Sequence, residues 1–196
     1  MDRSYEPLPL RELGANAGFR RPTQPQAARV GAESPALQVM TDLARTTPAT
    51  IRPQAPLAGA NQFMITRGVR LLLVVDDLEA VLGVITATDI LGERPMLAAT
   101  GRGLRRDELT VADVMTPAEQ VQVIALSDVE GARVGHVLET LRRSGRQHAL
   151  VIDFDGRSMV RGIFSLSQIA RQLGVALPAG GEVARTFSEI EAALVK

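Results

Sequence analysis

Two stretches of this chain follow one plan, and that duplication limits what it can fold into more than any other feature. Gly83-Val-Ile-Thr-Ala-Thr-Asp89 is answered by Gly162-Ile-Phe-Ser-Leu-Ser-Gln168, with Gly162 in the place of Gly83 and Ser165 in the place of Thr86. Upstream, Leu71-Leu-Leu-Val-Val-Asp76 is answered by His148-Ala-Leu-Val-Ile-Asp153, and Val39-Met-Thr41 by Val114-Met-Thr116. Each copy therefore runs from Val-Met-Thr through a β-prone piece, an amphipathic helix and an aliphatic strand ending in Asp. A turn and a glycine-led strand that enters a helix complete it. Such an internal repeat sets the architecture before any single element is weighed.

Within a copy the local chemistry is legible. Leu71 to Val75 is an unbroken aliphatic run, too short for a core helix and suited to a strand covered on both faces. Val84 and Ile85 read as a short buried strand running straight into a helix from Ala87 to Leu91. A helix start carries unpaired N–H groups, which favour an anion such as phosphate. Thr86 adds a hydroxyl donor there, and Asp89, one turn on, offers a carboxylate suited to a sugar diol. The same pair also fits a capping box, with Thr86 as N-cap and Asp89 as reciprocal acceptor, so the four residues alone leave both readings open.

The helices ahead of these strands are marked by spacing. Thr50-Ile51 is a short extended piece closed by Pro53; Pro56 then suits a first helical position, and Leu57, Ala60, Met64 and Ile65 make an apolar stripe that Gly68 ends. In the second copy Val134, Val137, Leu138 and Leu141 form the stripe, and His136 falls off it toward solvent. Arg142, Arg143 and Arg146 gather at that helix end, where cations complement the macrodipole. Asp155-Gly156 marks a turn between the last two strands.

Around the copies the pattern changes. Residues 1–35 hold five of the eleven prolines (Pro7, Pro9, Pro22, Pro25, Pro35) and no sustained period, which predicts an extended or disordered arm, with Leu8 to Leu13 able to dock on the core or a partner. Gly92 to Asp113 reads as a flexible connector: no strand precedes Gly101-Arg-Gly103, so the glycines do not make a phosphate loop, and Arg102, Arg105 and Arg106 form a solvated face. After Gly180-Gly181, the spacing of Val183, Phe187, Ile190 and Leu194 predicts a final helix with a stripe to bury. The expected division is an arm at 1–35, repeats at 36–92 and 114–175 joined by a connector at 93–113, and a linker with its helix at 176–196.

Composition removes several function classes. Of 196 residues 45% are apolar, enough for one compact unit or two small intertwined ones. Lys plus Arg and Asp plus Glu both number 22, so no global field draws the chain to nucleic acid or an anionic membrane. The absence of cysteine excludes disulfides, thiolate catalysis and Cys-based zinc sites and is compatible with a reducing cytosol. No apolar run approaches the roughly 20 residues that span a bilayer, and the N-terminus lacks a basic segment followed by an apolar core. With no Trp and only Tyr5, a base-stacking platform is disfavoured. A soluble, cytoplasmic protein is the expectation.

The repeated order, with Gly83-Val-Ile-Thr-Ala-Thr-Asp89 and the aliphatic strand ending in Asp76, resembles a tandem pair of CBS domains, the cystathionine-β-synthase-type module, over about Val39 to Gly174. The resemblance implies an α+β fold: two β-α-β-β-α repeats whose sheets pack about a pseudo-twofold axis, here with an N-terminal arm and a C-terminal helix. It implies two clefts of the kind that bind AMP, ADP, ATP or S-adenosylmethionine, and pairing of modules into a homodimer. Matched residue by residue, Asp89 takes the ribose-binding place and Thr86 the phosphate-side hydroxyl. Thr50 and Ile51 take the first strand flanking the adenine, and Arg70 a basic phosphate contact. Ser165 and His148 take the hydroxyl and basic places of the second cleft, where Gln168 stands instead of the ribose Asp. A neutral amide bonds a diol about half as strongly as a carboxylate, so one competent site, built on Asp89, is expected.

The function this implies is a non-catalytic regulatory module that senses an adenosine-type ligand and signals to a separate protein partner. The alternative is a structural dimerisation module without a small-molecule ligand. An enzyme is disfavoured because His136 and His148 lack metal-ligand spacing and Ser165 has no evident base; no catalytic or metal-ligating residue is assigned. Nucleic-acid binding through the Arg102–Arg106 and Arg142–Arg146 clusters is disfavoured by the neutral charge and the scarcity of aromatics.

Overall fold

The structure, a computed structural model, describes residues 30–175, 187–190 and 192. The predicted arm up to residue 29, including Leu8 to Leu13, lies outside them, as do Val183 and Leu194 of the predicted last helix.

The strands are β1 (Thr41–Asp42), β2 (Thr50–Ile51), β3 (Leu71–Val75), β4 (Val81–Thr86), β5 (Thr116–Pro117), β6 (Val123–Ala125), β7 (His148–Asp153) and β8 (Met159–Ser165). The helices are α1 (Leu57–Arg67), α2 (Ala87–Leu91), α3 (Arg94–Arg102), α4 (Leu126–Glu130), α5 (Val134–Ser144) and α6 (Leu166–Gln172). The strands form two four-stranded sheets, β2-β3-β4-β5 and β1-β8-β7-β6. Reading β1 for β5, β8 for β4, β7 for β3 and β6 for β2 turns one order into the other, which is the pseudo-twofold relation expected from the repeats. Even the irregularity recurs, with a register shift at Val74/Val75 in one hairpin and at Val151/Ile152 in the other.

The relation carries an exchange. β1 opens the first repeat but pairs with β8 of the second, Thr41 opposite Ile163, whereas β5 opens the second repeat and pairs with β4 of the first, Val84 opposite Thr116. The flanking chain follows: Ala36, Val39 and Met40 are buried in the core of the second half, and Leu109, Val111 and Val114 in that of the first.

Side-chain alternation explains the layers, because successive residues of a strand face opposite sides. On β3 Leu72 and Val74 meet α1 and its neighbours in the first core, while Leu71, Leu73 and Val75 meet Leu150 and Val84 in a third cluster between the halves. The strand is buried on both faces, as its unbroken aliphatic run predicts. In the second half Val151 and Phe164 face the helices, and Leu150 faces the first repeat. Leu57, Ala60 and Met64 are the buried stripe of α1, but Ile65 is 64% exposed and does not belong to it. The four stripe residues of α5 are all buried. Phe187 and Ile190, in a helical turn, are buried in the second core, which gives the predicted stripe its burial place.

The stretch expected to be a flexible connector is folded. It holds α3 and two short 3-10 turns, and Leu109 and Val111 are buried at 1% and 0% exposure. Its arginines are tied locally: Arg102 to Asp113, Arg105 to Asp107, and Arg106 to the Ile90 carbonyl. Among the described residues no helix is long and apolar enough to cross a membrane.

Candidate functional site

Thr86 ends β4 in extended backbone and caps α2. Its Oγ1 accepts from the Asp89 N–H at 3.2 Å, and Asp89 Oδ2 accepts from the Thr86 N–H at 2.9 Å and the Thr86 hydroxyl at 2.7 Å. The Ala87 N–H is taken by the Arg70 carbonyl at 2.9 Å. The capping box is therefore formed, and the amides of Thr86, Ala87 and Asp89 are already partnered. With α2 only five residues long, the helix start itself is no anion cradle; the chemistry belongs to the side chains around it.

Those side chains border a cavity of about 340 Å³ between the two halves. Thr86, Thr88, Asp89 and Arg94 border it from the first repeat, and Gln120 to Gln122 and Gly145 to His148 from the second, with Thr116 of β5 at the seam. Leu71, Val84, Val121 and Leu150 supply an aliphatic wall. Cationic, hydroxyl, carboxylate and apolar surfaces thus converge in one place.

Three of the anticipated residues meet there: Thr86, Asp89 and His148. His148 reaches the Asp89 cavity and not a separate second cleft. Burial and the nearby Arg70 charge push its pKa down to about 4, against the opposing pull of Asp89. Thr50 and Ile51 lie elsewhere, on β2 alongside β3. Arg70 is exposed and does not border the cavity, although its charge is felt at His148. Nor is Arg70 the counterpart of His148: Leu71 pairs with Thr86 as His148 pairs with Ser165, so Leu71 holds that place in the first repeat. Ser165 and Gln168 also stay outside the cavity. Ser165 Oγ is 3.1 Å from Ser167 Oγ, and Gln168 Oε1 accepts from the Thr41 hydroxyl at 3.2 Å.

Sequence reasoning missed Arg94, Arg146, Thr116 and the Gln120–Gln122 segment. Gln120 to Gln122 lead into β6, the second-repeat equivalent of β2, so the strand approach beside Asp89 comes from the other copy. The signal was the repeat itself, read with the opening segments exchanged between halves. Arg146 was visible in the arginine cluster after α5; its neighbours Arg142 and Arg143 instead engage Glu139 at 2.8 Å and 2.6 Å.

Comparison with known proteins bears on the fold. Residues 39–95 match the family model of the CBS domain. An uncharacterized conserved protein from Pyrococcus horikoshii superposes with a TM-score of 0.54 at 22% identity, covering 77% of this chain and 100% of that one. A CBS-domain containing protein from Agrobacterium tumefaciens gives 0.52 at 19% identity, over 72% of this chain and 94% of that one. CBSX2, a CBS-pair protein of Arabidopsis thaliana, solved in complex with AMP, gives 0.50 at 20% identity, over 70% and 94%. No curated protein matches the chain. One repeat thus matches the CBS-domain model, and the two halves together share the fold of the solved CBS-domain proteins.

Proposed function

We propose that the chain is a non-catalytic regulatory module that binds an adenine nucleotide or related adenosyl ligand in the Asp89 cavity and signals its occupancy to a separate protein. The observation that carries this is the convergence of Thr86, Asp89, Arg94, Arg146 and His148 on one apolar-walled cavity of about 340 Å³ between the repeats. That size lies in the range of roughly 300–1,000 Å³ typical of small-molecule sites. A ribose diol suits the carboxylate, a phosphate suits the two arginines, and a base suits the wall of Val84, Val121 and Leu150. The structurally similar CBSX2 carries AMP, which supports adenosyl chemistry as the first class to test. A ligand touching both repeats would favour whichever packing of the halves fits it better, and only that difference in affinity can drive a signal.

A second reading, a structural pairing module without a small ligand, is favoured by the engagement of both Asp89 oxygens, Oδ2 in the cap and Oδ1 with Arg94 at 3.1 Å. Thermal melts against AMP, ADP, ATP and S-adenosylmethionine separate the two. A ligand at about 100 times its Kd adds roughly 2.7 kcal/mol, a rise of several degrees. A rise with one ligand that disappears in Asp89→Ala supports the sensor, each protein being compared with its own ligand-free melt because the substitution also removes a cap. Melts indifferent to every ligand would replace it with the structural reading.

A further inference from the structure

Each exchanged strand is held by an arginine. On one side Arg161 of β8 donates to both carboxylate oxygens of Asp42 in β1 through its terminal nitrogens Nη1 and Nη2. On the other, Arg94 at the start of α3 reaches β5: its Nη1 donates to the Val114 carbonyl at 3.2 Å and to the Thr116 hydroxyl at 2.9 Å. The same nitrogen lies 3.1 Å from Asp89 Oδ1. One guanidinium therefore joins the cavity carboxylate of the first repeat to the strand that the second repeat lends it.

The other half makes the equivalent link without an intermediary. Thr41, which answers Thr116, donates directly to Oε1 of Gln168, which answers Asp89, at 3.2 Å. Leu173 stands where Arg94 would be. Both halves thus tie the residue one turn into a helix to the exchanged strand, one by a neutral hydrogen bond and one through a charged arginine. Only the charged version uses a helix residue that borders the cavity.

We propose that Arg94 is a latch through which the Asp89 carboxylate holds β5 in place, so that occupation of Asp89 is felt at the seam between the repeats. Arg94 is here a positioning residue, acting through Asp89. The consequence for a ligand rests on the cavity being a binding site, as proposed above; the latch itself does not. A hydroxyl pair approaching Oδ1 competes with the guanidinium, and β5 is then held by one charged partner fewer.

Backbone hydrogen exchange at Val84 and Thr116, which face each other across β4 and β5, tests this on the full chain without any ligand. The variants are Arg94→Met, which keeps a long stem at a position 49% exposed, Asp89→Asn, and the double substitution. Losing a charge-assisted hydrogen bond predicts exchange roughly tenfold faster at β5 in Arg94→Met. A smaller acceleration is expected in Asp89→Asn, and no further change in the double variant, because the carboxylate acts through the arginine. Unchanged exchange in Arg94→Met, or effects of the two substitutions that simply add, would overturn the latch. Added adenosine should also speed exchange at Thr116 in the natural sequence but not in Arg94→Met. If melts show that no nucleotide binds, the sensor reading falls while the variant comparison still decides the latch.

Discussion

His148 and Leu71 hold the same place in their repeats, each paired across a hairpin with the hydroxyl residue that starts a helix. Yet one is titratable and the other is not. His148 is half-buried against the charges of Arg70 and Asp89, with Arg94 and Arg146 bordering the same cavity. Burial holds its pKa down at about 4 against an ordinary 6.5, so folding favours the neutral ring. The unfolded chain then binds the extra proton first, and stability falls as pH drops from about 6.5 toward 4. The melting temperature of His148→Leu, which copies the first repeat, should therefore lose less between pH 6.5 and 4.5 than that of the natural sequence. Equal losses would show that His148 carries no such strain. Asp42, Asp113 and Glu139 all have carboxyl pKa values lowered by hydrogen bonds, from Arg161, Thr110 and Arg142 first of all. Their contribution is lost as pH falls from the ordinary carboxylate range toward their lowered values, and because both proteins share it, it cancels in this comparison. At this scale the sequence was informative about Thr86 and Asp89, whose spacing specifies the cap. It could not show that Arg94, five residues on, would take the remaining carboxylate oxygen, because that contact depends on where β5 arrives.

Among the elements, the exchanged strands decide which glycines matter. A Cβ on Gly83 would lie 2.3 Å from the Thr116 carbonyl oxygen, in the backbone of β5. A Cβ on Gly162, its equivalent, would instead crowd Sδ, Cγ and Cε of Met40, a buried side chain but a more adaptable neighbour than strand backbone. Gly83→Ala must push a strand and is expected to cost more than Gly162→Ala, which needs only a side chain to repack, each within about 1–3 kcal/mol. Urea unfolding of the two variants measures the difference, and equal costs would contradict the close approach of β5. The aliphatic β3 was legible as an unbroken run, Gly83 and Gly162 as equivalent places in the repeat, and the stripes of α5 and, apart from Ile65, of α1 as spacings of three and four. The connector was not: α3 has Gly101 within it and an exposed Met96 and Leu97, so its burial rests on Leu109 and Val111 further on, which a window over the glycines does not weigh.

The whole molecule is two copies of one fold that complete each other's sheets, and the duplication in the sequence was enough to foresee the pair. What it could not reveal is which half each Val-Met-Thr segment would join, since both copies present the same edge and only the course of the chain between them selects one. That choice also moved the site. It carries Thr116 and the Gln120–Gln122 approach to the Asp89 cavity, and leaves Thr50, Ile51, Ser165 and Gln168 away from it. The central claim is that this one cavity receives an adenosyl ligand, and the most direct test is an amide NMR titration with AMP. The account predicts shifts clustered at Thr86 to Arg94, Thr116, Gln120 to Gln122 and Gly145 to His148. Shifts confined to Thr41 and Ser165 to Gln168, or none at saturating AMP, ADP, ATP and S-adenosylmethionine, would contradict it.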